Sequence, residues 1–194
     1  MCRFLGCYKN RITLTFKNVK YTKIEMEDLF EYLKKDNVEY LINNSLEERG
    51  VSALLSFRDE HGNTPLHIAS GHNSINCVKF ILDCDSKNTL INLGNIHGDT
   101  PLHNAVYGNY KECLEILLNH SSIDIDPKNE YGNTPLMYAS LKNSVECIKS
   151  LLEHNADTSI QNKDGITFFD LLDEDIKTFI KEYSQSKKVD RTLE

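Results

Sequence analysis

No run of eighteen apolar residues occurs in this 194-residue chain, so no segment has the length and apolar character of a membrane-crossing helix. The N-terminus has no uninterrupted apolar stretch of the secretory type, and a secretory signal is not expected. H-E-x-x-H, a paired C-x₂-C and G-x-x-x-x-G-K-[ST] are all missing. No motif supplies a positioned base for a serine nucleophile. These absences point away from an enzyme, and no cofactor is expected. The N-terminal stretch is basic and free of acidic residues. Residues 1–23 carry Arg3, Lys9, Arg11, Lys17, Lys20 and Lys23 with no Asp or Glu, so with a net charge of −7 the remainder carries −13. An acidic body argues against nucleic acid, whose phosphates reward basic faces. It favours a protein partner with a basic face.

What the chain does have is a repeat. Gly62-Asn63-Thr64-Pro65-Leu66-His67-Ile68-Ala69 returns as Gly98-Asp99-Thr100-Pro101-Leu102-His103-Asn104-Ala105. It returns again as Gly132-Asn133-Thr134-Pro135-Leu136-Met137-Tyr138-Ala139, and in degraded form as Gly165-Ile166-Thr167-Phe168-Phe169-Asp170. The glycines step by 36, 34 and 33 residues. Each threonine stands where a hydroxyl caps a helix. Proline follows in the first turn, where its missing N–H costs nothing. Leu and Ala three apart share a face, and the glycine suits a turn with positive φ. Each unit therefore reads as turn, short helix, turn, second helix.

A period near 33 residues carrying T-P-L-H-x-A resembles the ankyrin-repeat family over roughly residues 25–184. The resemblance implies an all-α solenoid of stacked helix-turn-helix units with hairpin tips. Its parts would be an N-terminal cap (25–57), repeats at 58–94, 95–128 and 129–161, and a closing cap (162–184). A basic arm (1–24) precedes it and a polar tail without fixed structure (185–194) follows.

In the first cap, Leu29, Phe30 and Leu33 stripe one helix, Val38, Leu41 and Ile42 a second, and Asp36-Asn37 turns between them. The long link from Asn44 to Gly62 has room for one extra helical turn around Val51, Leu54 and Leu55. The second helices point Cys77, Val78, Ile81 and Leu82 inward, then Cys113, Leu114, Leu117 and Leu118, then Cys147, Ile148, Leu151 and Leu152. Cys77, Cys113 and Cys147 each lie thirteen residues after the motif threonine, one position of the repeat seen three times. They are expected to be small buried hydrophobes, not converging metal ligands. Unpaired buried thiols fit a reducing compartment, the cytosol or nucleus. Asn73, Asn109 and Asn143, nine after each threonine, and Asn155 stand where the family often has glycine, and asparagine tolerates the left-handed conformation there. In the closing cap, Asp173 or Asp175 starts the last helix, and Ile176, Phe179, Ile180 and Tyr183 form its buried stripe.

The arm has three readings. Ile12, Leu14 and Phe16 alternate with polar residues in a short strand-like pattern, as in a loose arm lying on the acidic body. Its basic, acid-free composition also suits organelle targeting. Cys2 and Cys7 beside basic residues suit palmitoylation, and hence a membrane-tethered adaptor.

The resemblance further implies that His67 and His103 bond to neighbouring backbone, and that a partner protein binds the concave side built from tips and first helices. Carried over by position, the candidate contacts are Glu60, His61, Asn63 and His72 in repeat two, and Ile96, His97, Asp99 and Tyr107 in repeat three. Repeat four supplies Glu130, Tyr131, Asn133, Leu141 and Lys142, and Lys163, Asp164 and Ile166 continue the row. Tyr107 and Tyr131 are the expected hot spots. The second helices carry Lys79, Glu112, Glu115, Glu146 and Lys149 outward as a solvated back. Asparagine hydroxylation, a family feature, targets the residue six before a turn glycine, where only Asn92 is favourable. The expected function is a non-enzymatic interaction module, monomeric by itself. The alternative is a regulatory subunit that occludes an enzyme or transcription factor.

Overall fold

The computed structural model describes residues 26–44 and 48–191. The readings made for the arm, with its alternating Ile12, Leu14 and Phe16 and its Cys2 and Cys7, lie outside the described residues. The described chain is helical, with no strand: α1 (Met26–Lys34), α2 (Val38–Asn44), α3 (Glu48–Ser56), α4 (Pro65–Gly71), α5 (Ile75–Cys84), α6 (Pro101–Tyr107), α7 (Lys111–Leu118), α8 (Pro135–Leu141), α9 (Val145–Glu153), a 3₁₀ turn (Phe169–Leu171) and α10 (Glu174–Arg191).

The helices stack in two rows. First helices pack in the order α1, α4, α6, α8 and the 3₁₀ turn, and second helices in the order α2, α5, α7, α9. Each unit is closed by its own residues. Thr64 Oγ1 accepts the His67 N–H at 3.3 Å, while the Thr64 N–H and hydroxyl converge on His67 Nδ1 at 3.2 and 2.8 Å. Thr100 and His103 repeat the pairing at 3.1 and 3.0 Å. Such a cap is worth about 1 kcal/mol per helix. Between the two helices of each unit the chain takes positive φ at Asp36, Asn73, Asn109 and Asn143, as it does again at Asn155. The expected asparagine turns are thus present, and Asp36 serves the first cap in the same way.

The core runs the length of the stack. Leu66, Ala69, Leu102, Ala105, Leu136 and Ala139 of the first helices are fully buried, as are Cys77, Ile81, Cys113, Leu114, Leu117, Cys147, Ile148 and Leu151 of the second. Leu82 and Leu152 are only half-buried against it. In repeat two, Phe80 and Cys84 join the core, and the inserted residues fold over it through buried Leu90 and Ile91. Buried Asp85 organises that insertion, accepting the Leu90 N–H at 2.7 Å and the Thr89 hydroxyl at 2.9 Å.

Three expectations need correction. The segment after α2 is a nine-residue helix, α3, not a single turn, and it buries Leu54 while Phe57 meets Phe30 edge-on at 5.1 Å. Phe179 is 39% exposed, leaving Ile180 as the fully buried residue of its stripe. Phe179 stacks on Tyr183 beneath the Lys149 ammonium, which lies 5.0 Å from its ring centre. The tail expected to start at residue 185 opens instead as a continuation of α10 to Arg191. Glu, Gln and Lys are good helix formers, so polarity alone does not end a helix.

Candidate protein-binding surface

The tips are built by a residue the motif did not single out. Three before each turn glycine stands an Asp or Asn: Asp59, Asn95, Asn129 and Asn162. Its side-chain oxygen accepts two backbone N–H groups of its own tip, as in Asn129 Oδ1 with Tyr131 N and Asn133 N, both at 3.0 Å. Asp59, Asn95 and Asn162 do the same. This Asx turn was legible as a fixed offset from the glycine. The tips then join one another. Ile96 N donates to His61 O at 3.0 Å, Glu130 N to His97 O at 2.8 Å, and Lys163 N to Tyr131 O at 3.0 Å. The glycines permit this approach. At Gly132, φ is +79° and a Cβ would stand 3.0 Å from Lys163 N.

A side-chain ladder runs beside the backbone one. Asn95 Nδ2 donates to Asn63 Oδ1, Asn129 Nδ2 to Asp99 Oδ1 and Asn162 Nδ2 to Asn133 Oδ1, each at 2.9 Å. Asn63, Asp99 and Asn133 are therefore half-buried members of the scaffold. Among the expected contacts, these three hold the tips together with the same side-chain atoms a partner would read.

The other candidates are open. Glu60, His61, His72, His97, Glu130 and Lys142 are exposed, as are Lys163 and Asp164, while Ile166 is half-buried. Ile96 and Tyr107 are each 60% exposed, Tyr131 56% and Leu141 53%. Large apolar side chains this open concentrate here, since the next most exposed among the described residues, Phe179 and Leu93, are only 39% and 37% exposed.

Polar partners hold several of these side chains in place. His97 Nδ1 lies 2.7 Å from Glu130 Oε1. Hydrogen bonds from His97 and then Tyr131 hold the Glu130 carboxyl below the usual range, and the same carboxylate pushes the Tyr131 phenol up. The Lys142 ammonium sits 3.9 Å from the centre of the Tyr107 ring, which meets Tyr138 edge-on. Tyr138 was not singled out in the sequence. Its hydroxyl accepts from Asn129 Nδ2 at 3.0 Å, and burial pushes its pKa up to about 12. It braces Tyr107 from inside the stack. An aromatic residue inside the T-P-L-x-x-A motif was the available signal.

His67 and His103 act as expected. Their Nε2 atoms donate to Asp99 O at 2.8 Å and Asn133 O at 3.1 Å, so each first helix is tied to the next tip. A carbonyl only accepts, which places the proton on Nε2 and leaves Nδ1 to accept from the threonine. Burial lowers the pKa of His67 to about 4 and lowers that of His103. The thiols of Cys77, Cys113 and Cys147 are pushed up by burial, those of Cys113 and Cys147 to about 12 and 11. Burial thus opposes the thiolate form that metal ligation requires. Asn92 bridges two repeats. Its Nδ2 donates to Ser122 O at 2.7 Å and its Oδ1 accepts from Asp124 N at 2.9 Å.

On the back, Lys79, Glu112 and Glu146 are exposed, while Glu115 is half-buried. Lys149 is not simply solvated. It is half-buried between Glu146, at 3.1 Å, and the rings of α10.

Comparison with protein families settles what the geometry is. A model of ankyrin repeats in three copies matches residues 84–162, and a single ankyrin-repeat model matches residues 61–93. The chain belongs to the ankyrin-repeat family. No curated protein matches it. Ankyrin repeats are generally protein–protein interaction modules and are typically non-enzymatic. Among the described residues, no helix is long and apolar enough to cross a membrane.

Proposed function

We propose that this ankyrin stack is a non-enzymatic interaction module whose partner protein lies across the tips and the C-terminal ends of the first helices. The row of open apolar side chains, Ile96, Tyr107, Tyr131 and Leu141, carries the reading, because large exposed apolar groups on a rigid frame mark interaction sites. Glu60, His61, His72, His97, Glu130 and Lys142 supply its polar rim. A body of charge −13 beyond residue 23 favours a partner with a basic face. Unpaired buried thiols favour the cytosol or nucleus as the place of action. Asn92 is the candidate for hydroxylation, and peptide mass spectrometry after treatment with an asparagine hydroxylase tests it by the gain of one oxygen.

The test of the surface compares a partner captured by the wild-type chain with its binding to variants. Tyr107→Ala and Tyr131→Ala are each expected to weaken the complex by about 1–3 kcal/mol, the range of an interface hot spot. Lys79→Glu, on the exposed back, is expected to leave affinity unchanged. Full affinity in the double tyrosine variant would reject the surface. Capture that depends on residues 1–23 alone would move the site to the arm.

A further inference from the structure

Seven residues after the motif threonine, repeats three and four carry Tyr107 and Leu141, but repeat two carries Gly71. The missing side chain leaves a pocket of about 350 Å³ on the first-helix row, between α1, α4 and α6. Phe30 and Tyr107 are among its walls, and Ile68 lines it too. The fold does not require this glycine. A Cβ on Gly71 would meet only Asn104, at an ordinary 3.7 Å. The space is therefore unused by the chain's own packing.

The polar groups lining the pocket are mainly acceptors. Asn104 donates its amide to His67 O at 3.2 Å, which leaves Oδ1 to accept. His72 Nδ1 lies 2.9 Å from Ile68 O, so the proton of the neutral ring sits on Nδ1 and Nε2 accepts. Asp59 adds a carboxylate, whose oxygens also accept from His61 N, Asn63 N and Asn63 Nδ2 of its own tip. Among the described residues the lining holds one cation, Lys34, which shares the Glu31 carboxylate with Lys35, at 3.7 and 3.1 Å. Tyr107 also takes a cation readily, since Lys142 rests on its ring. Aromatic walls, several acceptors and an acidic body together fit a flat cation on an aliphatic stem. A guanidinium stacks on aromatic faces and offers five donors to separate acceptors. An ammonium is a single, strongly hydrated point charge and uses them less well. A carboxylate would face Asp59 and two further acceptors.

We propose that the Gly71 pocket receives an arginine side chain of the partner protein. This deepens the interaction-module reading and rests on it, but it is tested without the partner. The full chain, labelled with ¹⁵N, is titrated with N-acetyl-arginine amide, N-acetyl-lysine amide and N-acetyl-glutamate amide. The arginine probe is expected to shift the amides of Gly71, His72 and Asn104 in a saturable way, at least threefold more tightly than the lysine probe, with no response to glutamate. Gly71→Leu, which fills the pocket, is expected to weaken the arginine response at least tenfold with helicity unchanged. Tyr107→Ala, which removes a wall at an exposed position, is expected to weaken it at least threefold and serves if Gly71→Leu does not fold. No saturable arginine response, an equal lysine or glutamate response, or a response indifferent to the folded variants would each overturn the proposal. If the arginine response fails while the tyrosine variants still lose the partner, the pocket assignment falls and the interaction surface stands. The reverse pattern removes the surface and leaves a bare arginine site.

Discussion

Helices α4 and α6 begin with Thr-Pro-Leu-His, and α8 begins with Thr-Pro-Leu-Met. The change leaves only the forward half of the cap, because the bonds from the threonine N–H and hydroxyl to the imidazole Nδ1 are gone. Thr134 Oγ1 still accepts the Met137 N–H, at 3.4 Å, and Met137 is as buried as the histidines it replaces. Reach is lost as well. His67 and His103 each grip a carbonyl of the following tip, and a thioether has no proton to donate there. The last interface relies on other ties. Lys163 N bonds Tyr131 O, Asn162 bonds Asn133, and Asn143 Nδ2 donates to Asp173 Oδ2 at 2.6 Å. Lys149 and Glu153 hold the aromatic face of α10. Several of these contacts are exposed, where polar pairs contribute little. The motif histidine is thus both a capping group and a link between units, and the closing cap, like the first cap, is docked without that link.

Acid should show this difference most strongly. His67 has an ordinary pKa of 6.5 and a folded value of about 4, depressed by burial. The unfolded chain therefore takes up its proton first. The stability tied to neutral His67 is fully present above pH 6.5 and is lost as pH falls towards 4. The two values differ enough for about 3 kcal/mol at most. His103 is lowered in the same sense and adds to the slope. Urea unfolding at pH 7.5 and 4.5 is expected to show the loss, and a His67→Met/His103→Met double variant should lose much less over that window. An unchanged slope in the double variant would mean that the acid sensitivity arises elsewhere.

Removing one link is a smaller perturbation. At neutral pH, His103→Met converts repeat three into a copy of repeat four. It loses the bond to Asn133 O together with the Thr100 bonds to Nδ1, at a cost of about 1–2 kcal/mol. Amide exchange should quicken at the repeat-four tip around Asn129–Asn133, with the first cap unaffected. Equal cost at both ends of the stack would contradict a link that is local to one interface.

The repeat, its caps and its turns were legible because they depend on residues repeated at fixed offsets. Thr-Pro at the first helix, asparagine at the inter-helix turn and cysteine in the second helix behave alike in all three full repeats. Legibility failed where one residue answers to a neighbouring unit. Asn63, Asp99 and Asn133 look like exposed tip residues one unit at a time, and only the stack shows each bonded to the next Asx turn. Phe179 looks apolar and inward on a helical wheel, but it lies beneath Lys149 of the preceding unit. Gly71 looks like a small residue ending a helix, and becomes a pocket only when Phe30 and Tyr107 stand on either side. The row Ile96, Tyr107, Tyr131 and Leu141 came from position in the repeat, and its exposure is what the side chains add.

The smallest expected effect restores the missing link. Met137 occupies in repeat four the place of His67 and His103, and Ile166 stands immediately before Thr167 as Asp99 and Asn133 stand before their threonines. The closing tip is built like the others, with Asn162 Oδ1 accepting from Ile166 N at 3.0 Å and Asn162 N donating to Ile166 O at 3.0 Å. In Met137→His, Nδ1 would accept from Thr134 while Nε2 donates to Ile166 O. One added hydrogen bond is worth about 1 kcal/mol, partly offset by burying a polar ring in place of a thioether. Urea unfolding at pH 7.5 should show a gain of at most that size, with slower exchange at the Gly165 and Ile166 amides. The gain should vanish as the new histidine protonates in acid, which separates it from a simple packing effect. A loss of stability at pH 7.5 would show that the worn fourth motif, with Phe168 and Phe169 in place of Pro-Leu, no longer presents its carbonyl as the earlier tips do.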